Sequence, residues 1–181
     1  MLLLGAYAVL MQRYSGQRDL RIAVPIANRQ QLETEGLIGF FVNTQVMPFQ
    51  LTDDESFAAL LARLKPLALG AQANQDLPFE QLVEALQPER SLAYNPLVQV
   101  KFNFGFDVSR LPDAGALKLE LFSEEQYGAR FDLALDMAEA LDANGQPGDE
   151  LRGSFVYARD LFLDASVAVI ASQFETLLRQ L

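Results

Sequence analysis

The chemistry open to this chain rests on carboxylates and amides. Asp132 and Asp136, four positions apart in "FDLALDM", and the run Asp53, Asp54, Glu55 are the groupings able to exchange a proton as acid and base. Alternation sets Asp132 and Asp136 opposite Leu133 and Leu135, so they read as the solvated face of a strand. The acidic run reads as a helix start, where negative charge complements the helix dipole. Two lone amides stand out more. Asn43 lies between Val42 and Thr44 in an apolar stretch, where a carboxamide must find hydrogen bonds. It would either pin a neighbouring loop or line a channel. Asn95 allows the same two readings, because a residue before proline is pushed toward extended geometry and would shape the turn at Pro96. In "NQDLPFEQLVEAL" (Asn74 to Leu86), Asn74, Gln75 and Asp76 read as a turn and a helix cap rather than as catalysts.

What is missing narrows the chemistry further. The 181 residues include no histidine and no cysteine. The commonest general base, thiolate nucleophiles, disulfides and the usual zinc and triad sites are therefore unavailable. The formal net charge is −10, and no cluster of Lys and Arg offers a phosphate backbone a footing, so no nucleic-acid partner is expected. Gly36 and Gly39 lack the repeated glycines and helix opening of a phosphate loop. The apolar opening "MLLLGAYAVLMQRYSG" is too short to span a bilayer and lacks a basic signal-peptide start. A cytoplasmic protein with no membrane partner and no metal is expected.

The elements that must position these side chains follow from periodicity. Leu3, Tyr7, Leu10, Met11 and Tyr14 form a helical stripe stopped by Gly16. "LRIAVPIA" (Leu20 to Ala27) reads as a strand covered on both faces, with Pro25 near its end, and Phe40 to Leu51 as a second strand. Thr52 and Glu55 suggest a capping box before a helix striped by Phe57, Leu60, Leu61 and Leu64 and kinked at Pro66. A shorter helix carries Phe79, Leu82, Val83 and Leu86 and ends before Pro88. "LVQVKFNFGF" alternates with Val98, Val100, Phe102, Phe104 and Phe106 on one face. Leu117 to Leu121, Phe131 to Met137 and Leu151 to Ala158 read as further strands, the last two separated by the turn "DANGQPGDE". Asp164 would cap a final helix that turns Val167, Ile170, Ala171, Phe174, Leu177 and Leu178 inward. Helix and strand together predict an α/β domain, a mixed-sheet two-layer sandwich.

Three stretches carry a resemblance. "GLIGFFVNTQV" (Gly36 to Val46), "NQDLPFEQLVEAL" and "RSLAYNPLVQV" (Arg90 to Val100) resemble, in order and spacing, three late motifs of the condensation domains of non-ribosomal peptide synthetases. "LRIAVPIANR", "RFDLALDM", "LRGSFVYARDLFL" and the closing helix resemble that family as well. In the third motif Arg90, Asn95, Pro96 and Leu97 match, whereas Ser91, Ala93 and Tyr94 stand where family members commonly carry acidic, Ser and Arg residues.

The resemblance implies a fold similar to one half of chloramphenicol acetyltransferase, whose two halves form a V around a tunnel. The family's His-His-x-x-x-Asp-Gly motif belongs to the N-terminal half and does not occur here, so residues 1–181 are expected to be the C-terminal half alone, inactive by itself. They would supply one wall of the tunnel where an acceptor aminoacyl amine attacks a donor thioester. No cofactor is expected to be bound by this chain; phosphopantetheine arms would arrive on upstream and downstream carrier proteins. The implied partners are the N-terminal half, those carrier proteins and a neighbouring adenylation domain. Residues from Ala27 to Glu35 resemble the family's floor loop and those from Gln126 to Met137 its latch. Asn43 and Asn95 are the expected tunnel-lining amides. A docking module for carrier proteins or an adenylation domain, or half of an epimerisation domain, are the alternatives, the last less favoured because "GFFVNT" resembles peptide-bond-forming members.

Overall fold

Small residues interleaved with large ones from Leu4 to Met11 produce a helix, α1 (Leu2–Ser15), that is buried around most of its circumference. Such a helix must lie between neighbours. In the computed structural model, which describes residues 1–29, 31–89, 91, 94–106, 129–141 and 147–181, those neighbours are α3 (Phe57–Ala73) and α5 (Asp164–Gln180), which pack on either side of it. Gly16 ends α1 at φ 69°, the left-handed geometry that favours glycine, and its N–H bonds Gln12 O at 2.8 Å.

Five strands form one sheet among the described residues: β1 (Asp19–Ile26), β2 (Asn43–Gln50), β3 (Val100–Phe106), β4 (Leu133–Leu141) and β5 (Pro147–Tyr157), in the order β2-β1-β3-β4-β5. β1 pairs antiparallel with β2 along its whole length, from Asp19 opposite Gln50 to Ile26 opposite Asn43. It pairs parallel with β3 only at Ile22 and Ala23. Pro25 lies beyond that short ladder, where its missing N–H removes no β1–β3 bond, and Pro48 is on the edge strand β2. β3 and β4 are parallel, β4 and β5 antiparallel. The mixed α/β fold and mixed sheet agree with expectation.

The pleat sorts the core. Leu20, Ile22, Met47, Phe49, Phe102, Leu133, Leu135 and Met137 face α1, α3 and α5, where Val167, Ile170 and Phe174 complete the packing. Tyr7 is wholly buried at its centre, its ring centroid 5.9 Å from Phe102 and 6.3 Å, edge on, from Phe174. The opposite face holds a smaller cluster in which α4 (Phe79–Leu86) sets Phe79, Leu82 and Val83 against Ala23, Val46, Leu97 and Val98.

Several expectations shift. β2 begins at Asn43, so Phe40 to Val42 precede the strand, and β1 starts one residue earlier than expected. Val98 belongs to the smaller cluster: Leu97, at φ 67°, turns the chain before β3 begins at Val100. The N-cap of α3 is Ser56, the extended residue directly before the helix, whose Oγ accepts from Ala59 N–H at 3.2 Å, while Glu55 accepts from Arg63 instead of closing a capping box with Thr52. The N-cap positions of α4 and α5 are Pro78 and Leu163, neither with a side-chain cap bond, so Asp76 and Asp164 do not have the capping roles expected of them. Asp164 instead accepts the Tyr157 hydroxyl at 2.7 Å. A four-residue helix, α2 (Leu32–Glu35), interrupts the loop after β1. The expected strand Leu117 to Leu121, the first part of the segment Gln126 to Met137, and Arg90 lie outside the described residues.

Candidate functional site

The loop after β1 is organised by one cation. Arg29 donates to the carbonyls of Thr34, of Leu37 at 2.8 Å and of Gly39 at 3.2 Å, and its guanidinium lies 4.1 Å from the centroid of the Phe41 ring. A Cβ on Gly39 would approach Phe41 Cε2 to 2.9 Å, so the ring's seat requires the missing side chain. With the backbone held in this way, Leu37, Ile38, Phe40 and Val42 point outward: Ile38 is fully exposed and Phe40 is 87 % exposed. Four large apolar side chains displayed on six successive residues form an unusual surface for an isolated chain.

This segment borders a cavity of about 440 Å³ lined by Phe40, Phe41, Asn43, Phe79, Lys101 and Phe131 among others. Asn43 stands at its edge with every polar position occupied. Its Nδ2 donates to Gln75 O at 3.0 Å and Leu77 O at 2.8 Å, and its Oδ1 accepts from Thr44 N–H at 2.8 Å and Phe79 N–H at 3.1 Å. The turn between α3 and α4 is thereby tied to the edge strand, and a side chain of β2 satisfies the first amide of α4. Gln45, two residues along on the same face, donates to Ala71 O near the end of α3. The Asn74–Asp76 segment is thus the acceptor side of a structural tie. Asn95 donates to Arg130 O, while its own carbonyl accepts from Gln99 Nε2 at 3.1 Å. Arg130 lines the cavity, so Asn95 fixes part of its wall from behind.

The pairing of Asp132 with Asp136 is replaced by another. Asp136 faces Lys101 across β3 and β4, with Nζ 2.8 Å and 3.1 Å from the two carboxylate oxygens. Both lie on the face of the sheet opposite α1, in the polar phase of strands whose other residues fill the core. Asp132 makes main-chain links to Gln99 and Ala158, and burial pushes its carboxyl above the ordinary range. A second cavity of about 130 Å³ is lined by Lys101, Asp136, Ala134 and Val156 together with Ala129, Arg130 and Phe131. Among the described residues no group of three acidic, histidine or cysteine side chains could hold a metal, and no helix is long and apolar enough to cross a membrane.

Sequence reasoning passed over Arg29 and Lys101. Each had a signal: a cation ahead of an apolar loop with no acid beside it, and a lone lysine in the alternating run "VKFNFGF".

Comparison with known proteins places these features. The family model described as "Condensation domain" matches residues 1–181. One of the linear gramicidin synthase proteins of Brevibacillus parabrevis is 45% identical over 182 residues, covering 99% of this chain and 3% of that protein. The solved X-domain from teicoplanin biosynthesis superposes with a TM-score of 0.88 at 27% identity over 99% of this chain and 40% of that one. The four-domain nonribosomal peptide synthetase AB3403 shares the fold, with a TM-score of 0.85 at 23% identity over 99% of this chain and 14% of that one. The chain therefore spans a small fraction of the length of the curated relatives it matches, and well under half of the solved ones.

Proposed function

The chain belongs to the condensation-domain family, and from that premise we propose that it is the C-terminal half of a peptide-bond-forming condensation domain and supplies one wall of its reaction tunnel. The observation that carries this reading is the exposed apolar segment Leu37, Ile38, Phe40 and Val42, bonded along its backbone by Arg29 beside the 440 Å³ cavity. A surface so built stabilises a protein when another body covers it, burial being favourable by roughly 25 cal/mol per Å². The N-terminal half, with the family's paired histidines, is the body that fits.

In this reading the acceptor aminoacyl thioester and the donor thioester enter on phosphopantetheine arms of a downstream and an upstream carrier protein. The acceptor amine attacks the donor carbonyl, the thiol leaves, and proton transfer falls to the other half, since this chain has no histidine. The contribution of the present half is placement, which converts an encounter between two tethered reactants into a near-unimolecular step. Asn43 and Asn95 are the tunnel residues: their amides fix the α3–α4 turn and the Arg130 carbonyl, and so the shape of the wall. The relatives include a four-domain synthetase, which supports a neighbouring adenylation domain as a further partner.

Incubating the chain with two loaded carrier proteins tests the reading. No condensation product above background is expected from the chain alone, and clear turnover would reject it.

A further inference from the structure

The tunnel reading gives the Lys101–Asp136 pair no role, although Lys101 lines the larger cavity, and the pair's geometry leaves it chemically unfinished. An ammonium has three N–H donors. Two reach the Asp136 oxygens at 2.8 Å and 3.1 Å, and the third meets no acceptor among the described residues. Both side chains are about three-quarters buried, with 23% and 29% of their surface exposed. Lys101 lines both cavities, with Asp136 at the smaller one, where Ala134 beside them leaves space that a larger residue would fill.

Charge and solvation decide what fits. The pair neutralises itself, so an incoming carboxylate meets Asp136 and an incoming ammonium meets Lys101. Arg130 also lines the space but is exposed, its charge screened by solvent. An apolar group would strip water from two ions without replacing a hydrogen bond, which is costly. A carboxamide offers a carbonyl to the third Lys101 donor and an N–H to the remaining Asp136 lone pairs. We propose that Lys101 and Asp136 form a subsite for an uncharged carboxamide side chain on the tethered substrate. The assignment to a tethered substrate rests on the tunnel reading; the side-chain preference does not.

The test titrates the chain with pantetheine amides of glutamine, glutamate and leucine, and with the same amino acids as simple N-methylamides, following the amide NMR signals of Phe102 and Leu135. The glutamine probe is expected to bind about 5-fold more tightly than either of the others, the worth of roughly one net hydrogen bond. Lys101→Met should bring the three probes level, and Lys101→Arg, which keeps a cation facing Asp136, should retain the preference. Equal binding of the three, a preference that survives in Lys101→Met, or no binding by any probe would overturn the subsite. Pantetheine probes that bind no better than N-methylamides, with the glutamine preference intact, would instead count against the tunnel reading alone.

Discussion

Phe79 N–H donates to Asn43 Oδ1 at 3.1 Å, so the first amide of α4 is satisfied by a residue of β2 that lies 36 positions earlier. The same carboxamide donates to the Gln75 and Leu77 carbonyls. Asn43→Ala removes the acceptor and both donors together. A loss of about 2 kcal/mol in unfolding free energy is expected, combining a lost cap with unpaired carbonyls. Amide exchange should accelerate in α4 while α5 is unaffected. A loss below about 0.5 kcal/mol, with α4 exchange unchanged, would show that the tie contributes little.

This tie shows where sequence reasoning reached and where it stopped. The stripes of α1 and α5 and the alternation of β3 and β4 are local patterns with periods of 3.6 and 2, so most residues that face the main core are visible in one dimension, although Tyr14 and Phe104, on the same stripes, are exposed toward the ends of their elements. A cap is different. Thr52, Ser56, Asp76 and Asp164 all carry a suitable oxygen, and only the backbone angles at each helix entry decide among them. Ser56 caps α3 because it is the extended residue directly before the helix. The partners of Asn43 and Lys101 depend on how α4 crosses β2 and on the register that sets Asn103 opposite Asp136. Neither relationship leaves a periodic trace. The outward apolar segment from Leu37 to Val42 reads as partly strand for the same reason: its composition suits one, whereas the Leu37 and Gly39 carbonyls are engaged by Arg29 and β2 starts at Asn43.

Tyr7 carries a buried hydroxyl with no hydrogen-bond partner among the described residues. Burial first, and the Asp136 charge second, push its ionisation upward, so the phenol remains neutral. An unpaired buried hydroxyl costs free energy that its removal returns. Tyr7→Phe should therefore raise stability, by up to about 1 kcal/mol in denaturant unfolding. A clear destabilisation would mean that the hydroxyl is paired in solution.

Glu55 is held below its ordinary value of 4.5, chiefly by hydrogen bonds from the Arg63 guanidinium at 2.6 Å and 2.7 Å. A depressed carboxylate stabilises the fold above its unfolded pKa and loses that contribution as pH falls through the folded value. The pair should thus protect the start of α3 at neutral pH and fail below about pH 4.5. A carbon-13 titration of the Glu55 carboxyl should give a midpoint under 4.5 that returns toward it in Arg63→Gln. An identical midpoint in both proteins would remove the ion pair from the account.

Gly39→Ala places a methyl group where the Phe41 ring now sits, 2.9 Å from Cε2. The ring must swing away, and its contact with Arg29 goes with it. Loss of this cation–π contact is worth about 0.5–1 kcal/mol at an exposed site. Limited proteolysis between Leu32 and Val42 should quicken several-fold in Gly39→Ala, with the remainder of the chain as resistant as before. Unchanged cleavage would show that the loop is held by other means.

On the proposed reading an N-terminal half carrying the family's paired histidines covers this surface, and supplying such a half gives the most direct test. Amide hydrogen exchange of Leu37 to Val42 should slow strongly when the two halves are mixed, and Ile38→Ser with Phe40→Ser should weaken their association at least tenfold, since burying each side chain is worth about 1.5–3 kcal/mol. Exchange that stays fast in a mixture, or a complex indifferent to both substitutions, would contradict the claim that this surface is one side of a shared cleft.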